Sequence, residues 1–190
     1  VQQIARRLQG CPHVLGYDTL NEPLPGYIGL TDLNTPISRL IASGPTPTPW
    51  QGMLLASGFA QDVADESDLP IRLGKVKTIR IDPAGVTAWL PGRQPVWQEN
   101  GVWDVGEDGA PRLLRPEHFS VVGGRPVAFY SACFRPFLRR YAEAIRAAHP
   151  EAFLFVEPVP PQYRAGLEVS YAPEGVKGMV NAPHWYDGVT

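Results

Sequence analysis

Three short apolar runs in this chain each stop in polar side chains beside a proline. His13 to Tyr17 runs into Asp18-Thr19-Leu20-Asn21-Glu22-Pro23, Ala152 to Val156 runs into Glu157-Pro158, and Gly178 to Val180 runs into Asn181-Ala182-Pro183-His184-Trp185-Tyr186-Asp187. Runs so short and so uniformly apolar suit strands. Helical patterns and tight turns precede the first two. Apolar strands separated by helices imply a parallel sheet covered on both faces. Polar groups gathered at strand C-termini mark where α/β barrels and open α/β sheets place their sites. The expected fold is therefore α/β, either a partial (β/α)8 TIM barrel or an open parallel sheet. A whole barrel needs about 250 residues, so 190 residues supply roughly three of its eight strands.

The helices are legible from spacing. Residues 131–148 place Phe134, Phe137, Leu138, Tyr141, Ile145 and Ala148 on one stripe, with Arg135, Arg139, Arg140, Glu143 and Arg146 opposite. Ser131 is the expected cap, and His149-Pro150 ends the helix. Residues 1–9 carry Ile4, Ala5 and Leu8 at helical spacing, and Gly10-Cys11-Pro12 stops them. The chain reads as an internal piece of a longer protein: VQQIARRLQG starts in mid-helix without a signal-peptide shape, and HWYDGVT stops just after a strand.

Residues 24–130 break this grammar. They hold PTPTP at 45–49, weak alternation in KVKTIRI, and the tryptophans Trp50, Trp89, Trp97 and Trp103. The segment reads as an elaborated, irregular β→α loop with some strand pairing and no helical period. Its tryptophans either line a pocket for sugar or lipid or form the insertion's own small core.

The charge balance excludes some partners. With 17 basic and 19 acidic residues the formal net charge is −2, which leaves no electrostatic footprint for nucleic acid. No apolar run reaches the roughly 18–20 residues of a membrane span. Cys11 and His13 are too few ligands for a zinc site, and two cysteines without a framework say nothing about compartment. A Cys11–Cys133 bridge is not expected. One lies below a strand and the other begins a helix near the opposite end, whereas disulfide Cα atoms must come within about 7 Å.

The chemistry sits at the strand ends. Glu22, between Asn21 and Pro23, is a carboxyl at the end of a buried strand. Partial desolvation raises a carboxylate's pKa and suits it to donate a proton, as glycoside cleavage requires. Asn21 beside it suits a sugar hydroxyl. The bland reading is a glutamate that caps a loop or the next helix. His184 and Tyr186 lie two apart and so share one face of a strand. They suit the orientation of a carboxylate or the binding of a hydroxyl; the bland reading is a half-buried pair. Glu157 has three readings: the second carboxyl of a glycosidase pair, a supporting residue, or a substrate ligand. Carboxyls about 5–5.5 Å apart make a retaining enzyme, and about 6.5–9.5 Å an inverting one.

Asn21-Glu22-Pro23 after a short strand, followed by His184-Trp185-Tyr186-Asp187, resembles glycoside hydrolase family 5. GYDTLNEPLPGYIG, GVWD at 101–104, RLLRPEHF at 112–119, FRPFLRRY at 134–141 and FLFVEP at 153–158 look like its glucosylceramidase and steryl-glucosidase branch, which is related to the endoglycoceramidases. The resemblance covers nearly the whole chain. It implies a (β/α)8 barrel, with strands 4 to 6 and their flanking helices present and 24–130 inserted after strand 4, so that 1–190 is a fragment of one catalytic domain. It implies retaining hydrolysis of β-glucosides of lipids, glucosylceramide or steryl glucoside, without cofactor or metal. Glu22 becomes the acid/base, Asn21 the ligand of the sugar 2-hydroxyl, and His184 and Tyr186 the active-site His-x-Tyr. Glu157 matches a strand 5 position and is not the family's nucleophile, which is a glutamate on strand 7. Two other readings stay open: an endoglycoceramidase-type hydrolase that releases an oligosaccharide, and a barrel that binds carbohydrate or lipid without catalysis.

With an acid but no nucleophile, the 190-residue chain expressed alone is expected to leave an aryl β-glucoside uncleaved. Robust release of the aryl alcohol overturns that expectation.

Overall fold

The computed structural model describes residues 1–37, 44–65, 76–160 and 170–184. The chain divides into two units, one of Val1–Gly29 with Val127–Thr190 and one of Leu30–Pro126. The first unit opens with helix α1 (Gln2–Leu8). Gly10, at φ 85°, takes the left-handed turn that stops it. Of the expected apolar stripe, Ala5 is fully buried and Leu8 packs at the core's margin, but Ile4 is 56% exposed. Strand β1 is Gly16–Asp18, later than the expected start at His13. A turn closed by Val14 N–H on the Cys11 carbonyl uses up the preceding backbone, and Leu15 is left exposed.

The second unit contains strand β2 (Pro45–Thr46), helix α2 (Pro49–Ala56), and strands β3 (Gln61–Asp65) and β4 (Lys77–Ile81). Helix α3 (Val96–Glu99) and the hairpins β5 (Trp103–Val105) with β6 (Pro111–Leu113) and β7 (Val121–Val122) with β8 (Arg125–Pro126) follow. β2, β3 and β4 form an antiparallel sheet in that order. The absence of helical period expected here is corrected by α2. Thr48 Oγ1 accepts the Gln51 N–H at 3.2 Å and Gln51 Oε1 accepts the Thr48 N–H at 3.0 Å, a reciprocal cap with Pro49 at the first helical position. Trp103 is 1% exposed beside Met53, Leu54, Val63 and Val102 in the unit's buried set, and Trp50 and Phe59 meet its ring edge-on. Trp89 donates to Ser57, and Trp97 packs on Phe119. Trp103 is buried and Trp50, Trp89 and Trp97 are half-buried, and all four make contacts within their own unit.

The first unit resumes at a π-helical turn, Tyr130–Phe134, which leads into helix α4 (Arg135–Arg146). The Arg135 N–H reaches back five residues to the Tyr130 carbonyl, and Pro136 has no N–H with which to close the next narrower turn. Ser131 therefore lies inside the helical turn, and Phe129 holds the cap position in its place. The rest of the stripe is as spaced: Phe134, Leu138, Tyr141, Ala142 and Ile145 are buried, whereas Arg139, Arg140 and Glu143 face out.

Strand β9 (Phe153–Val156) lies between β1 and strand β10 (Met179–Asn181), and both pairings are parallel. Leu154 and Val156 face one way, into two apolar clusters built with α4 and the π-turn. Phe153 faces the other way and is 46% exposed, so among the described residues the sheet is covered on one face and not on both as expected. No helix among those residues is long and apolar enough to cross a membrane.

Gly16 is where the ladder is tightest. A Cβ there would overlap the Phe153 carbonyl oxygen and stand 2.9 Å from the Phe155 ring. The backbone carbonyl cannot rotate away, so Gly16→Ala is expected to cost about 3 kcal/mol, the upper end for overpacking. The check is a lowered urea midpoint; an unchanged midpoint contradicts the close approach.

Candidate active site

Adjacent parallel strands end at the same edge, so their following residues meet. Thr19 extends β1 by donating its N–H to the Phe155 carbonyl at 3.1 Å. The Ala182 N–H continues β10 on the Val156 carbonyl at 2.9 Å. Glu22, Glu157 and His184 are thereby delivered to one place from three strands. His184 Nδ1 lies 2.9 Å from Glu22 Oε1, and Nε2 lies 3.1 Å from Glu157 Oε1. The other Glu157 oxygen, Oε2, accepts the Glu22 backbone N–H at 2.6 Å.

Burial grades the three. The Glu157 side chain is 5% exposed, Glu22 28% and His184 37%. An imidazole ring thus stands between the two carboxyl groups, in the space a sugar would need if they were a nucleophile–acid pair. The hydrogen bond to Glu22 holds His184 above its ordinary value; desolvation opposes it, and the charges of Glu157 and Glu22 then add to the rise. Glu22 itself has φ 42°, in the left-handed region.

Asn21 is exposed at the end of the same turn. Tyr186 lies outside the described residues. Asp18 and Thr19 act through the backbone: the Asp18 side chain takes the Thr19 N–H at 2.7 Å, and the Asp18 carbonyl takes the Tyr141 hydroxyl at 2.6 Å. The Thr19 hydroxyl is buried with no hydrogen-bond partner among the described residues. Cys11 and Cys133 are free.

Two anchors were not foreseen. Tyr141 belongs to the apolar stripe of α4, yet its hydroxyl pins the end of β1, and burial pushes its pKa up to about 12. Tyr171 lies against the rings of Tyr130 and Phe134 and donates to Asn181 Oδ1 at the end of β10. The one sequence signal was a tyrosine at an apolar position, since a buried phenol usually finds a partner.

No family profile matches the chain. It is 35% identical to a glucosylceramidase of Rhizopus delemar over 98% of its own length and 27% of that protein's. A glucosylceramidase of Aspergillus fumigatus is 33% identical over 93% of this chain and 26% of its own, and an ergosteryl-beta-glucosidase of Saccharomyces cerevisiae 26% identical over 93% and 25%. The crystal structure of Cryptococcus neoformans sterylglucosidase 1 superposes with a TM-score of 0.82 at 28% identity, over 99% of this chain and 30% of that one. The chain spans about a quarter of the length of the curated relatives it matches.

An imidazolium between two carboxylates titrates late. The His184 midpoint, followed by its ring resonances, is expected above the ordinary 6.5 and is expected to fall in Glu22→Gln. The folded form is the one that holds this proton more tightly. Its stabilising share is therefore full below about pH 6.5 and lost as pH rises through the raised midpoint. A midpoint at or below the ordinary value refutes the bridge.

Proposed function

We propose that this chain, which belongs to the glucosylceramidase and steryl-glucosidase family of glycoside hydrolases, carries the acid/base half of a retaining β-glucosidase that acts on glucosylated lipids. The observation that carries the reading is the meeting of Glu22 and His184 at the shared C-terminal edge of a parallel sheet, 162 positions apart in sequence. In this reading β1, β9 and β10 are strands 4, 5 and 6 of a (β/α)8 barrel, and 24–130 is the insertion after strand 4. The nucleophile lies outside this chain.

Hydrolysis then takes two steps. Glu22, as carboxylic acid, gives its proton to the glycosidic oxygen while the nucleophile bonds to the anomeric carbon. The lipid alcohol, glucosylceramide's ceramide or a sterol, departs with that proton. Glu22, now carboxylate, takes a proton from the water that displaces the nucleophile, and the configuration is retained. General acid catalysis of this kind contributes about 10²–10⁴ in rate. Asn21, exposed beside Glu22, binds the sugar 2-hydroxyl, and His184 and Tyr186 complete the substrate-binding face. The chemistry needs no cofactor.

In the full-length protein, Glu22→Gln is expected to lower kcat/KM for a steryl or alkyl β-glucoside by about 10²–10⁴. A 2,4-dinitrophenyl glucoside, whose leaving group needs no proton, loses far less in its first step. Undiminished turnover of the alkyl glucoside overturns the assignment.

A further inference from the structure

Glu157 is the most buried ionisable side chain at the strand ends, and both of its oxygens are committed to the protein. One accepts the backbone N–H of Glu22 and the other faces Nε2 of His184. A side chain only 5% exposed, with a protein partner on each oxygen, presents little to a sugar hydroxyl. We infer that Glu157 is a positioning residue: its carboxylate holds the backbone of Glu22 with one oxygen and fixes the tautomer of His184 with the other, leaving Nδ1 to face the Glu22 carboxyl. The inference rests on the reading of Glu22 as acid/base.

The backbone argument starts from Glu22 at φ 42°. Residues other than glycine avoid that region, because Cβ crowds the backbone there. A left-handed glutamate persists only where its surroundings over-determine it. The 2.6 Å bond from its N–H to a buried carboxylate is such a restraint, since charge-assisted hydrogen bonds are the short and strong ones. Pro23, buried directly after, restrains the other side. Together they aim the Glu22 side chain.

The imidazole argument starts from what a carboxylate can do. It accepts and does not donate, so Nε2 must carry a hydrogen to satisfy it. Nδ1 is then the variable end, and it faces Glu22 Oε1 at 2.9 Å. When Glu22 is a carboxylic acid, its O–H donates to bare Nδ1. When Glu22 is ionised, Nδ1–H donates to it. With Nε2–H fixed, the two forms hold the same number of protons and differ only in which side of the Glu22–His184 hydrogen bond carries it; the proton given to the glycosidic oxygen leaves from this pair, and the water of the second step returns it. Glu22 must be acid in the first step and base in the second, and a partner that accepts both states without turning its ring serves both. Among the described residues, the carboxylates acting on His184 are those of Glu22 and Glu157.

Glu157→Gln in the full-length protein removes the charge but keeps an acceptor and nearly the same shape. Its amide NH₂ meets Nε2, which favours the Nδ1–H tautomer and the ionised form of Glu22. Loss of the negative charge also loosens the proton on the pair. Expected are a tenfold to hundredfold loss in kcat/KM for an alkyl β-glucoside, the scale of a misplaced catalytic group, and a shift of the alkaline limb of the profile to lower pH. The 2,4-dinitrophenyl glucoside should lose less than about tenfold, and KM should change little.

A loss shared equally by both leaving groups with raised KM makes Glu157 a substrate ligand and overturns the inference. Labelling of Glu157 by a 2-deoxy-2-fluoroglucoside makes it the nucleophile and overturns it too. An equal loss with an unmoved alkaline limb makes its role structural and also overturns it. Nitrogen shifts of His184 in the wild type keep the test open if Glu157→Gln does not fold: neutral His184 protonated at Nδ1 and bare at Nε2 contradicts the inference. Glu22→Gln run alongside separates the two claims. If that variant still cleaves the alkyl glucoside, the acid/base reading fails, whatever Glu157 does.

Discussion

The parallel ladder β1–β9–β10 is the constraint on which everything else rests. Parallel pairing aligns strand ends, so side chains distant in sequence surface together at one edge. Gly16 permits the ladder by letting the β9 backbone come within a distance no Cβ would allow. The apolar clusters beneath it are largely the contribution of one helix, α4, whose stripe spans from the π-turn to Ile145. Hydrogen bonds from Tyr141 and Tyr171 then tie two of the three strand ends down, each worth about 1 kcal/mol net. The polar end of the sheet is therefore held by phenols that the apolar layer itself supplies.

Much of this was legible in the sequence, because period and punctuation report burial. The α4 stripe, the three short apolar runs and the placing of Glu22 and His184 at their ends follow from spacing and from proline. What was not legible depended on backbone detail. Nothing in NEP announces a left-handed glutamate, and without that geometry Glu157 has no defined partner. A histidine with two acidic neighbours far off in sequence likewise shows its bridge only when the strands are paired. The late start of β1 was hidden because HVLGY is apolar throughout, and only the turn at Cys11–Val14 decides where pairing begins.

The middle segment teaches a different point. PTPTP reads as a breaker, yet its last threonine and proline are a helix start, with Gln51 supplying the reciprocal bond. Proline frequency made the region look free of helix, with only some strand pairing. The tryptophans, which read equally well as a binding wall, make contacts among themselves and their own unit, as Trp50 and Phe59 do on Trp103. An aromatic-rich stretch that folds as its own unit spends its rings on its own interior first.

The points where the first unit breaks off and resumes are neighbours: a Cβ on Gly29 would lie 3.7 Å from the carbonyl oxygen of Val127. The long excursion between them therefore leaves and re-enters through a single gap, and the ends it must close are already together. Closure entropy grows only slowly with length, about 0.6 kcal/mol for each doubling of a flexible loop. Length and sequence in this region are consequently free to drift, by gain or loss of whole hairpins, without disturbing the register that brings Glu22, Glu157 and His184 together.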